Sequence, residues 1–299
     1  MSLIRRLPDD RLLAPSWLDG LCPEPQIGAA RNGVSVGYAN QDGMLRVAAT
    51  LDGAVELEAE ALERAVEALY ARLFRLLSDA QHPYLLRVWN GLPGIGERIC
   101  VPADRLAAWE SEAPVHEPFD RYMAFNAGRS KAFETHFGHD GIARLSPAAT
   151  AVGHLGNDLQ VHLLASDQPG QAIENPRQVP SYRYSQRFGP RPPVFVRATQ
   201  FGERLLISGT ASIVGQDSVH PDQVHAQFEE TLNNLRTITQ RSPQPDAALR
   251  HFRIYAPHDD DLPQLASRLE DAYPQMRSLE LMRSDICRKN LLVEIEAAT

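Results

Sequence analysis

Apolar positions recur every three or four residues across 56–80 (ELEAEALERAVEALYARLFRLLSDA), with good helix formers between them, so this stretch predicts a long amphipathic helix. Before it, VSVGYANQDGMLRVAATL (34–51) alternates and predicts a hairpin turning at QDG. After it come an apolar strand, YLLRVWNGLP (84–93), and a second helix over 118–137, which Asp120 can cap. Two further strands are predicted at 143–152 and 158–166. The same order then returns. A hairpin over 194–214 turns at FGE, a helix covers 222–240, and a strand covers 248–257. A helix over 261–273 has Asp261 as its cap, and strands at 278–284 and 291–297 close the chain.

An order that appears twice points to two copies of one α+β unit, each a mixed sheet with helices on one face. The division predicted is 1–169, a linker over 170–193, and 194–299. Each sheet then has a second face to cover, and the two units can cover each other. The final strand, LLVEIEAAT, alternates, so Glu294 and Glu296 share one face. That face is either solvated or lies in the joint, where ligand sites are favoured.

Composition narrows the function. The chain has 43% hydrophobic and 23% charged residues, and its net charge of −8 argues against a general nucleic-acid binder. No apolar run reaches the length of a membrane span, and the start, MSLIRRLPDD, lacks the apolar core of a secretory signal. Three scattered cysteines, Cys22, Cys100 and Cys287, make no disulfide framework, so a cytoplasmic location is expected. HFGHD (136–140) and APHDDD (256–261) lack a zinc spacing, and no metal is expected; GLPGIG (91–96) reads as a loop. There is no G-x-S-x-G elbow, which argues against a nucleophilic triad.

The linker is unusual for an acidic chain. Arg177, Arg183, Arg187, Arg191 and Arg197 are interleaved with Tyr182 and Tyr184. Such forks and hydroxyls suit carboxylates or phosphates, while a surface loop paired with nearby acids is the plainer reading. SGTASIVG (208–215), with Ser208, Thr210 and Ser212, reads either as a strand end rich in small residues or as a close approach to a ligand. Cys287 lies seven residues before Glu294.

RVWN (87–90), GRSKAFE (128–134), LSPAATAVG (145–153), ENPRQV (174–179), FGPRPPVFVRA (188–198), SGTASIVG and DICRKNLLVEIE (285–296) run in order along the chain. Together they resemble the chorismatases, and the last hundred or so residues resemble the RidA/YjgF fold. The chain departs from the family pattern at Asn126, where a cysteine is expected. The resemblance implies tandem RidA/YjgF-like (chorismate-mutase-like) α+β domains with a pocket between them. It implies chorismate as the substrate, with no metal or redox cofactor, no nucleic-acid or membrane partner, and a monomer with internal pseudo-symmetry or a small homo-oligomer. Glu294 would be the acid that protonates the vinyl carbon of the enolpyruvyl ether, and Glu296 would be structural. Tyr182 or Tyr184, Arg191, Arg197 and Thr210 would hold the dianion. Cys287 would mark the branch that forms 3-hydroxybenzoate, alone or with 4-hydroxybenzoate. Two other readings remain open: an imine or enamine deaminase using Arg277 as its anchor, and a non-catalytic small-ligand binder.

Overall fold

The structure is a computed structural model that describes residues 3–113, 116–244 and 248–299. It opens with a short strand, Leu3–Arg6 (β1). Val34–Gln41 (β2) and Met44–Leu51 (β3) then form the predicted hairpin, where Asp42 and Gly43 both take positive φ, 50° and 75°. Such a two-residue turn matches the twist of the strands it joins. Next come Ala59–Asp79 (α1), Tyr84–Pro93 (β4), Ala103–Glu112 (α2), Arg121–Phe137 (α3) and Ile142–Leu145 (α4). Ala148–His154 (β5) and Leu159–Ser166 (β6) complete a five-stranded sheet in the order β2-β3-β6-β4-β5, with β4 and β5 parallel.

The second half continues with Gln171–Ile173 (β7), Ala198–Phe201 (β8), Arg204–Ala211 (β9), Ile213–Val214 (β10) and Asp217–Ser218 (β11). Val224–Arg241 (α5), His251–Ala256 (β12), Leu262–Ala272 (α6), Ser278–Arg283 (β13) and Glu294–Ala298 (β14) follow. Five of these strands lie in the order β8-β9-β14-β12-β13, with β12 and β13 parallel, which is the topology of the first sheet again. The repeat predicted from the hydrophobic pattern is therefore a repeat of strand order and direction.

Two additions extend this sheet to seven strands. β7 pairs with β8 at one edge, and β1 lies parallel to β13 at the other. The second corrects the division at residue 169: the chain's first strand belongs to the C-terminal sheet, where an open parallel edge accepts its backbone groups.

Each sheet keeps its helices on one face. On α1, Leu62, Val66, Leu69, Tyr70, Leu73 and Leu77 point at the first sheet, and α3 packs beside it. Gly128 permits that packing, because a Cβ there would run into the Glu63 carbonyl. The second sheet buries Leu232, Leu235, Leu265 and Leu269 of α5 and α6. The helix-free faces meet: Leu86, Trp89 and Leu164 pack against Leu206, Tyr255 and Met282, with Leu7, Leu12 and Leu18 closing one side.

The remaining differences from the sequence reading are local. The strand expected from 143 starts at Ala148, after the α4 turn and Pro147, because the residue before a proline resists helix and the ring fixes the next φ. The strand expected from 291 starts at Glu294, since the Leu292 N–H is taken by the Gln227 side chain. α2 was not predicted, and it buries Trp109 alone. Asp120 caps α3 by accepting the Met123 N–H at 2.9 Å. Asp261 makes no such bond; it ends a short 3-10 turn over Asp259–Asp261.

Candidate active site

Glu294 and Glu296 both project from β14 into the joint, but the joint treats them differently. Glu296 is neutralised. Arg87 donates to it at 2.8 Å, the Thr150 hydroxyl at 2.7 Å and the Trp89 indole at 3.0 Å, with Arg253 at 3.8 Å. All of its partners except Arg253 come from the opposite sheet, so this carboxylate pins the two sheets together. A buried charge is tolerable when paired and bonded in this way.

Glu294 is just as buried, 4% exposed, yet among the described residues no cation pairs with it. Burial, and then the Glu296 charge, push its carboxyl up to about 8, with Arg87 opposing. Its position depends on Gly209 of β9, where any Cβ would overlap the Glu294 carboxyl. The Gly209 N–H in turn donates to the Thr150 hydroxyl at 3.0 Å. The small residue in SGTASIVG thus admits a close approach of the acid. The hydroxyls are structural: Ser208 takes the Ala149 N–H and donates to the Val196 carbonyl, and Ser212 donates to the Val219 carbonyl.

Glu294 lies on the wall of a cavity of about 440 Å³ between the two units. Cys287 shares that wall. Burial and the neighbouring Glu294 push its thiol up to about 12, so it is a neutral, weakly polar surface and no thiolate nucleophile. Tyr122 adds a phenol whose ionisation burial suppresses further. Asp120 is on the wall too, pushed up to about 7 by burial.

The rim is cationic and aromatic. Arg197 donates to the Tyr184 hydroxyl and to the Val179 carbonyl, both at 2.9 Å, and its Nε is buried without a hydrogen-bond partner. Arg288 stacks on Phe188 at 4.0 Å and also reaches the Tyr184 ring at 5.4 Å. Tyr184 therefore stands between two guanidinium groups that face the cavity. Arg187 is there as well, already paired with Asp217 at 2.9 Å and Glu117 at 3.1 Å. Such a cavity can hold a small anion against a carboxylic acid that keeps its proton near neutrality.

Of the residues singled out from sequence, Glu294, Cys287, Tyr184 and Arg197 come together here. Three do not. Arg191 pairs with Glu134 at 2.8 Å on the surface, because its turn faces the exposed flank of α3. Thr210 points to the opposite face of β9, where it donates to the Ser208 carbonyl; alternation puts Gly209 and Ala211 on the cavity side instead. Tyr182 lies off the cavity wall with Arg183 stacked on it, in the short 3-10 turn Ser181–Arg183. Arg177 is held by Glu230 and Asn234. Arg277, the anchor a deaminase would need, is exposed just ahead of β13. Sequence reasoning missed Arg288, Lys289 and Tyr122 as cavity residues. The adjacent cations in DICRKN, directly after Cys287, were the available signal for the first two.

An α+β repeat with a buried, unpaired acid in its joint and an arginine–tyrosine rim defines a class of protein suited to holding a small anion beside a proton donor. Comparison with known proteins says which family of that class this is. The family model described as Chorismatase FkbO/Hyg5-like, N-terminal, matches residues 25–165. The chain is 30% identical over 254 residues to the 3-hydroxybenzoate synthase of Streptomyces hygroscopicus, covering 78% of this chain and 68% of that protein. It is 32% identical over 287 residues to a chorismatase of the same organism, covering 91% and 78%. A crystal structure of chorismatase superposes with a TM-score of 0.75 at 29% identity, covering 92% of this chain and 80% of that one. The chain belongs to the chorismatase family.

Proposed function

We propose that the protein cleaves the enolpyruvyl ether of chorismate, releasing pyruvate, with Glu294 as the general acid. The observation that carries this reading is the contrast on β14. One buried carboxyl group is fully paired, while the other on the same face is left unpaired at the cavity wall, where burial pushes it up to about 8. Protonating the terminal vinyl carbon of an enol ether is difficult, and it needs an acid that still carries its proton near neutrality. General-acid assistance of this kind is worth about 10²–10⁴-fold. The proton converts the enol ether to an oxocarbenium ion, and the Arg197–Tyr184–Arg288 rim binds the anionic substrate. The Arg191 and Thr210 contacts expected from the family resemblance are not part of this proposal.

We infer 3-hydroxybenzoate as a main product, alone or with 4-hydroxybenzoate. Hydroxybenzoate and pyruvate together hold the atoms of chorismate, so no water is added on that route. Capture of the oxocarbenium ion by water leads to a dihydroxy diene acid instead. The neutral Cys287 thiol beside Glu294 is a weakly polar wall, suited to keeping water from the cation. Incubating the protein with chorismate, measuring pyruvate and separating the aromatic products tests both levels. No pyruvate overturns the activity. Pyruvate with only the dihydroxy diene overturns the product while leaving the cleavage standing. An imine-hydrolysing enzyme or a passive binder gives no pyruvate from chorismate.

A further inference from the structure

The donors that could stabilise an ionised Glu294 are spent on its neighbour. Glu294 and the Thr150 hydroxyl meet over Gly209, where a Cβ would overlap the one and lie 3.1 Å from the other. That hydroxyl has no capacity left. It accepts from Arg87 at 2.6 Å and from the Gly209 N–H at 3.0 Å, and it gives its single proton to Glu296 at 2.7 Å. Arg87 divides Nη2 between Thr150 and Glu296, and its Nη1 donates to the Val88 carbonyl at 2.9 Å. Arg253, the other cation behind Glu296, is bonded to Glu280 and to the Leu13 carbonyl. The remaining ionisable groups around Glu294 offer it no ion pair among the described residues. Cys287 and Tyr122 are held neutral by burial, and Tyr255 is its register partner on β12. Arg129 of α3 borders the same wall with Nη1 on the Val194 carbonyl, and Asp120, Arg197 and Arg288 line the open cavity.

We propose that Glu296 is the positioning residue that keeps Glu294 in its acid form, by holding Arg87 and the Thr150 proton to itself. This rests on Glu294 as the acid of the reaction assigned above. Two effects act in the same direction. The Glu296 carboxylate resists a second negative charge on its own face of β14, and among the described residues it is the one carboxylate paired with Arg87. Without that charge Arg87 is a buried cation with no counter-ion, which is costly. The other carboxyl on the face is Glu294, so ionising it relieves the cost. The freed Thr150 proton can then turn over Gly209 toward the same group. An opposite charge at close range lowers a carboxyl by about 1–3 units, and removing a like charge lowers it further. Glu294 would then give up its proton to solvent below neutrality and have none for the vinyl carbon. The two glutamates of VEIE thus act together: the first gives the proton, and the second keeps it in place until the substrate arrives.

The test is the pH dependence of Glu294 itself, and of pyruvate release, in wild type, Glu296→Gln, Arg87→Met and the double variant. NMR on protein carrying isotope-labelled glutamate gives the titration midpoint, the Glu294 resonance being the one missing from Glu294→Gln. Single-turnover release from chorismate gives the rate, and melting curves establish that each variant is folded. Glu296→Gln keeps the shape and loses the charge. Its Glu294 midpoint is expected to fall by about two pH units or more from about 8 in wild type. The alkaline limb of the rate should move down with it, release recovering below the new midpoint. Arg87→Met removes the cation and leaves Glu296 charged, so the midpoint should rise. The double variant leaves neither charge of the pair behind and should return to within about one unit of wild type. A midpoint in folded Glu296→Gln within about half a unit of wild type overturns the proposal and leaves Glu296 as a pin between the sheets. Should that variant not fold, an Arg87→Met midpoint at or below that of wild type overturns it instead. A midpoint that falls in Glu296→Gln and returns in the double variant, with pyruvate release following neither, supports the proposal and overturns only Glu294 as the acid of the reaction.

Discussion

Replacing Glu294 by glutamine is expected to stabilise the fold, by an amount that grows with pH. In the folded protein, burial and then the Glu296 charge push the Glu294 carboxyl from 4.5 up to about 8. In the unfolded chain it returns to its ordinary value. The raised value means that this group's contribution to stability is fully present below about pH 4.5 and is lost as pH rises to about 8. A tenfold change in proton affinity is worth about 1.4 kcal/mol, so between pH 5 and pH 8 the wild type should lose roughly 3 kcal/mol through this one group. Glutamine, with nearly the same shape and no proton to lose, should not. For a chain of this length that corresponds to about 5 °C in melting temperature. The assay is thermal unfolding of wild type and Glu294→Gln at pH 5 and pH 8, read as the change in their difference. Asp120 and Glu174, pushed up to about 7 by burial, titrate in the same window in both proteins, so the subtraction removes them. A difference that stays constant between the two pH values would mean that Glu294 ionises like an ordinary surface acid, and the reasoning would fail.

Arg197→Ala should raise the KM for chorismate, since a lost charge contact of this buried kind costs about 2–5 kcal/mol, while Arg191→Ala should leave the kinetics unchanged because its exposed pair with Glu134 is worth about 0–1 kcal/mol; steady-state kinetics on both variants checks the contrast. Cys287→Ala should change the ratio of aromatic products to dihydroxy diene more than it changes the rate, read by chromatography, because it opens space beside the cation without removing a proton donor. Gly209→Ala should cost at least tenfold in turnover by moving the acid its Cβ would overlap, measured as pyruvate release by a variant whose circular dichroism matches wild type.

The sequence carried the architecture well because its signals were periodic. The alternation in 34–51, the helical spacing in 56–80 and the return of the same order after 194 became two sheets of one topology. It also carried the opening for the site, since a period of two placed Glu294 and Glu296 on one face and helices on one side of each sheet sent that face into the joint. What separates the two glutamates was not legible. Arg87, Trp89 and Thr150 reach Glu296 across more than a hundred residues of chain, and pairing at that separation leaves no local pattern. The linker arginines illustrate the same limit. Arg197 and Arg191 look alike in sequence, and only the fold turns one to the cavity and the other to Glu134. Arg129 sits in the quoted motif GRSKAFE, but nothing in its neighbours shows that it is buried without a counter-charge.

In the proposed reaction Glu294 supplies the proton that breaks the enolpyruvyl ether. That role is tested most directly by single-turnover pyruvate release from chorismate with wild type and Glu294→Gln, each at saturating enzyme so that binding does not limit the signal. Wild type is expected to release stoichiometric pyruvate, and the glutamine variant to react at less than about a hundredth of that rate with chorismate still bound, because the amide has no proton to give to carbon. Release by Glu294→Gln at more than about a tenth of the wild-type rate would contradict it, and the acid would have to be sought elsewhere on the cavity wall.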